Sequence, residues 1–135
     1  MNACNISFFA KRTFLLAGPP RHLGRVSSTI RANQIAEHIG AKLNPASGYE
    51  NDICIYVKPG SVKFEGTPYL DIVDAYYSVG VLQENRNVGV IACSKLDGEY
   101  LSRHLKNKLV VITQQHCNFE RIKREREGVT TVGVI

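Results

Sequence analysis

The strongest constraint on this chain is a succession of short, continuous apolar runs rich in β-branched residues, each closed by a turn or a helix start. Residues 13–17 run into Gly18-Pro19-Pro20, residues 52–57 into Lys58-Pro59-Gly60, residues 88–93 into Ser94, and residues 109–113 into Gln114-Gln115. Runs without polar alternation fit strands covered on both faces, the pattern of parallel sheets. Helical spacing fills the gaps between them. Val26, Ile30, Ile35, Ala36 and Ile39 make one stripe, with Ser27 or Ser28 as cap and Gly40 as terminator. Leu70, Val73, Tyr77 and Leu82 predict a helix over 69–82, with Asp71 as its cap and Asp74 as a first-turn acid. Ser94 and Asp97 open another helix, whose apolar face continues at Leu101 and Leu105. This alternation predicts an α/β fold: a single Rossmann-like domain with a mostly parallel sheet of about five or six strands and helices on both faces. A length of 135 residues suits one such domain.

Two segments fit this frame less simply. Residues 41–43 read as a brief strand, yet only nine residues separate Leu43 from Ile53, fewer than a helical crossover needs. Either that link is a loop or the strand at Leu43 is absent. Residues 1–12 read as a leader of uncertain structure, an extra strand or a disordered stretch. Lys11-Arg12 follow its apolar residues instead of preceding them, the wrong order for a secretory signal. The α/β domain then covers 13–135 and closes on an apolar strand over 130–135, which must pair with something.

Composition removes several classes. No apolar run approaches the ~20 residues of a membrane-spanning helix, so no membrane partner is expected. Cys4, Cys54, Cys93 and Cys117 stand 50, 39 and 24 residues apart, with no C-x-x-C pair. They read as reduced thiols of a cytoplasmic protein, neither a disulfide framework nor a zinc knuckle. The net charge of +5 lies wholly in residues 1–31, where Lys11, Arg12, Arg21, Arg25 and Arg31 face no acid. The rest of the chain is neutral. The basic cluster at 121–126 is offset by Glu120, Glu125 and Glu127, which disfavours a nucleic-acid stripe.

In open parallel sheets, ligands bind beyond the carboxyl ends of the strands. The turn from Gly18 to Arg25 is the leading candidate. Gly18 and Gly24 allow close backbone approach, while Arg21 and Arg25 offer charge to a phosphate or carboxylate. Lys58, Ser94 and His116 follow other predicted strands and fall on the same rim. The turn is neither G-x-G-x-x-G nor a Walker loop, so no cofactor is implied. His22, His38, His104 and His116 lack ligand spacing, so no metal site is expected.

The order of these pieces carries a resemblance. Gly18 through Gly24-Arg25, then Arg31-Ala32-Asn33-Gln34-Ile35-Ala36-Glu37 with Gly40-Ala41, then Asp52 to Lys58, is similar to the N-terminal domain of glycosyltransferases with the two-domain GT-B fold. Val90 to Ser94 and Val110 to Asn118 resemble the strand-plus-loop segments that close that domain, and Thr131 to Ile135 resembles the first strand of the second domain. The resemblance implies an acceptor-binding half, with Gly18, Gly24 and Arg25 lining the cleft and Lys58, Ser94 and His116 on neighbouring rims. The donor-binding half has no counterpart in these residues. The resemblance therefore implies a fragment, or a freestanding half-domain that binds an anionic or sugar-bearing small molecule and does not transfer sugars alone. A rival expectation is a small interaction protein that forms a homodimer through residues 130–135.

Overall fold

The chain was analysed as a computed structural model, which describes residues 5–10, 29–57, 63–73 and 79–113. Among these residues, six strands form one sheet: β1 (Ile6–Ala10), β2 (Lys42–Leu43), β3 (Ile53–Val57), β4 (Thr67–Asp71), β5 (Gly89–Ala92) and β6 (Leu109–Val111). Their order is β2-β1-β3-β4-β5-β6, and every neighbouring pair is parallel.

Side-chain alternation sorts the strands between two cores. Phe8 and Val57 face one side, where Ala32 and Ala36 of the first helical segment cover them. Cys54, Tyr56, Leu70, Val90 and Ala92 face the other, under α2 (Val79–Glu84) and α3 (Lys95–His104) through Leu82 and Leu101. The expected α/β architecture, with helices on both faces, is what the chain adopts. Buried strands sandwiched this way need no polar face, which is why their sequence runs are unbroken.

The first helix winds as a π-helical segment, Thr29–Gln34, and continues into α1 (Ile35–Ile39). Gly40 ends it in the left-handed region at φ 67°, and the next N–H, that of Ala41, returns to the Ala36 carbonyl at 2.8 Å. Ser27 and Ser28 lie outside the described residues, as do the apolar run at 13–17 and the terminal run at 130–135.

The structure decides two open readings and corrects one expectation. First, residues 6–10, read as an extra strand or a disordered stretch, form β1 and pair on both sides, with β2 and β3. Second, the strand at Leu43 is real and the link after it is a loop. Leu43 pairs opposite Phe8 and Ile53 opposite Ile6, so the chain retreats two residues, ~7 Å, while crossing two strand spacings, ~10 Å. Nine residues can reach ~30 Å, so no helix is needed. Asn44 shapes the turn at φ 47°: its N–H donates to the Phe8 carbonyl and its Oδ1 accepts from the Ala10 N–H. Third, 67–71 is a strand, and the helix predicted over 69–82 is confined to Val79–Glu84 among the described residues. Pro68 disguised β4. It pairs with β3 at Cys54, while pairing with β5 starts only at Tyr69, so the missing N–H falls where no β5 partner waits. Asp71 accordingly is the last residue of a strand.

At the amino end of the sheet, Asp52 binds three elements together. The Ser7 hydroxyl donates to its Oδ2 at 2.7 Å, and the Lys42 ammonium donates to the same oxygen at 2.9 Å. These donors hold the Asp52 carboxyl below its ordinary pKa, Ser7 contributing most. Between β4 and β5, Gly89 leaves room for the Tyr69 ring, which a Cβ would strike.

Candidate functional site at the strand carboxyl ends

The sheet order fixes where a ligand crevice belongs. From β1 the chain moves one way to β2, and from β3 onward it moves the other way. The order reverses between β1 and β3, the position at which doubly wound sheets in general offer a ligand crevice beyond their carboxyl ends. Ala10 and Val57 are the last residues of those two strands.

Of the residues singled out from sequence, Gly18, Arg21, Gly24, Arg25, Lys58 and His116 lie outside the described residues. Ser94 is described. It follows β5 on the carboxyl rim and caps α3, its Oγ accepting from the Asp97 N–H at 3.1 Å and donating to Asp97 Oδ2 at 2.6 Å. The capping predicted from spacing is therefore present. Beyond Ser94, α3 borders a groove of about 500 Å³ lined by Leu96, Asp97, Glu99, Tyr100 and Arg103.

The same rim carries a group that sequence reading missed. Arg31 projects from the π-helical segment and donates through Nε to Asp71 Oδ2 at 2.5 Å, both side chains being only 4% exposed. Its Nη2 donates to the Ile112 carbonyl, just past β6, at 3.4 Å. Asp71 Oδ1 stands 3.9 Å from the Cys93 thiol, which follows β5. One carboxylate thus gathers β4, β5 and the first helical segment, and its partner Arg31 reaches β6.

Burial raises the Asp71 pKa above the usual carboxyl range, against the opposing pull of the Arg31 guanidinium, the Val73 N–H and the Cys93 thiol. Backbone strain accompanies this group. Val73 is buried at φ 51°, in the left-handed region that a β-branched residue adopts only when its surroundings enforce it. The π-helical winding under Arg31 is a second local irregularity of the kind that collects at functional sites. The two opposite charges face each other within the pair, which ties the helical segment to the ends of β4 and β6.

Linear sequence gave no sign of the pair. Arg31 and Asp71 stand forty positions apart in sequence, and only the fold brings them together. Among the described residues, no group of three His, Cys, Asp or Glu side chains could hold a metal ion, and no helix is long and apolar enough to cross a membrane. Compared with known proteins, the chain matches no family model, no curated protein and no solved structure.

Proposed function

We propose that this chain is a ligand-binding α/β half-domain, resembling the acceptor side of a GT-B glycosyltransferase, that takes an anionic or sugar-bearing small molecule beyond the carboxyl ends of β1 and β3. The observation that carries this reading is the reversal of strand order between β1 and β3. In sequence, the segment after β1 contains Gly18, Arg21, Gly24 and Arg25, and Lys58 directly follows β3. The Arg31–Asp71 pair supports it further, because it fixes the helical segment next to that loop in sequence. Buried, reduced Cys54 and Cys93 suit a cytoplasmic setting.

The reading separates sugar from charge experimentally. The full chain is titrated with a hexose 1-phosphate and with the free hexose, followed by amide chemical shifts. The phosphate ester is expected to bind more tightly, and Arg25→Ala to weaken it by roughly 1.5–3 kcal/mol, the loss of one charge-assisted hydrogen bond. Absence of binding to both probes, or an unchanged affinity in Arg25→Ala, refutes this placement.

A further inference from the structure

A helix on the surface of a globular domain turns polar residues to solvent, and α3 breaks that pattern. Its inner face is set by Gly98 and Leu101, both buried, with Leu101 in the core under the helix. At about 100° per residue, Leu96 and Arg103 fall opposite that face, and Glu99 and Tyr100 flank them within roughly 50°. Leu96 is 77% exposed and Tyr100 51%, so two of the three large apolar side chains of the helix stand on its outer face. The groove of about 500 Å³ beside α3 is lined by these four residues and Asp97. Leu96 and Tyr100 belong to neither hydrophobic core of the described residues.

Tyr100 is also held ready for a partner. Its ring rests beside that of His104, one turn further on, with centroids 4.6 Å apart and planes tilted by 47°. A side chain already restrained in this way loses less freedom when it enters an interface.

Charge orders the face along its length. Asp97 and Glu99 lie in its N-terminal half, Arg103 and His104 in its last turn. A second α3 laid antiparallel brings its acids beside the Arg103 of the first, and the two helix dipoles then oppose each other favourably. Laid parallel in register, it would set Glu99 against Glu99 and Arg103 against Arg103, which costs energy. With a two-fold axis passing between Glu99 and Tyr100, a rise of about 1.5 Å per residue puts Arg103 of one copy about 4.5 Å along the helix direction from Glu99 of the other. The same offset separates Leu96 from the opposite Tyr100, within reach of both side chains. Such a face is self-complementary, as a two-fold interface requires.

We propose that the outer face of α3 docks on the same face of a second copy of this chain, antiparallel across a two-fold axis. Leu96 and Tyr100 pack at its centre, and Arg103 of each copy pairs with Glu99 of the other. A ten-residue helix is about 15 Å long, so the contact falls at the small end of specific interfaces and the dimer is weak and concentration-dependent. The proposal is independent of the ligand reading, since α3 follows β5 and the crevice belongs between β1 and β3.

The test is sedimentation velocity of the full chain from about 1 μM to about 1 mM, the range in which weak complexes assemble. A reversible shift from monomer to dimer is expected. Leu96→Glu, at a position too exposed to support the core, should raise the dissociation constant at least about tenfold. Glu99→Arg and Arg103→Glu should each weaken self-association by a similar factor, while an equimolar mixture of the two restores it, because each of these charges then meets its opposite. A chain that stays monomeric across the range, as it would if its own remaining residues or an unrelated protein held this face, overturns the proposal. So does a dimer that none of the three substitutions weakens, or a mixture that associates no better than its components.

Discussion

Replacing Arg31 by methionine tests whether the buried ion pair organises the carboxyl rim. Methionine keeps an unbranched apolar stem and removes the guanidinium. Asp71 is then left without its counter-charge at a site 4% exposed. An ionised carboxylate buried alone costs about 3–5 kcal/mol. The alternative is protonation, which from an ordinary carboxyl pKa of about 3.9 costs about 4 kcal/mol at pH 7 and about 1.5 kcal/mol at pH 5. The cheaper route sets the cost, so the expected destabilisation is about 3–4 kcal/mol at pH 7. The lost hydrogen bond to the Ile112 carbonyl adds about 1 kcal/mol at either pH. Against a domain stability of about 5–15 kcal/mol this is a large fraction.

The sign of the pH effect follows from linkage. Burial already raises the folded pKa of Asp71, and removing Arg31 raises it further. A carboxyl whose folded pKa exceeds its unfolded value contributes stability below the unfolded pKa and loses it as pH rises through the folded one. The variant should therefore gain on wild type as the pH falls from 7 to 5. Urea denaturation at both pH values measures this directly, and Arg31→Met combined with Asp71→Leu, which removes both charges, should recover most of the loss. A loss below about 1 kcal/mol at pH 7, or one that does not shrink at pH 5, refutes the reasoning.

Two further expectations concern packing and the opposite end of the sheet. Gly89→Ala drives a Cβ into the Tyr69 ring and should lower stability by about 1–3 kcal/mol, which thermal unfolding can read; an unchanged transition would mean that the ring moves aside freely. Asp52 has a lowered folded pKa, so its contribution is present above the ordinary carboxyl pKa and is lost as pH falls through the folded value. Ser7→Ala, which removes the largest cause of that shift, should flatten the acid limb of the stability profile, and identical acid limbs in both proteins would exclude the Ser7–Asp52 bond as its source.

Sequence alone determined the class of fold. Unbroken apolar runs at 53–57 and 88–93 match strands covered on both faces, the run at 109–113 supplies the more exposed edge strand β6, and the stripe over Ile35, Ala36 and Ile39 with Gly40 behind it fixed one helix end. Ser94 and Asp97, three residues apart, specified their own cap. These features are local, so a linear reading reaches them. Where local signals conflicted, the linear reading failed. Pro68 and an accidental helical spacing hid β4, and a basic pair after Ala10 left β1 undecided between an extra strand and a disordered stretch.

Tertiary structure decided the remainder: the strand order, its reversal between β1 and β3, and the meeting of Arg31 with Asp71 and Cys93. None of these is encoded at a fixed spacing. Asp71 became a rim carboxylate because pairing to β3 and β5 made it the last residue of a central strand. Arg31 became its partner because Ala32 and Ala36 seated the helical segment on that same face. Long-range pairing sets which polar groups lose their water together, and that shared burial turns two ordinary charged residues into one electrostatic unit.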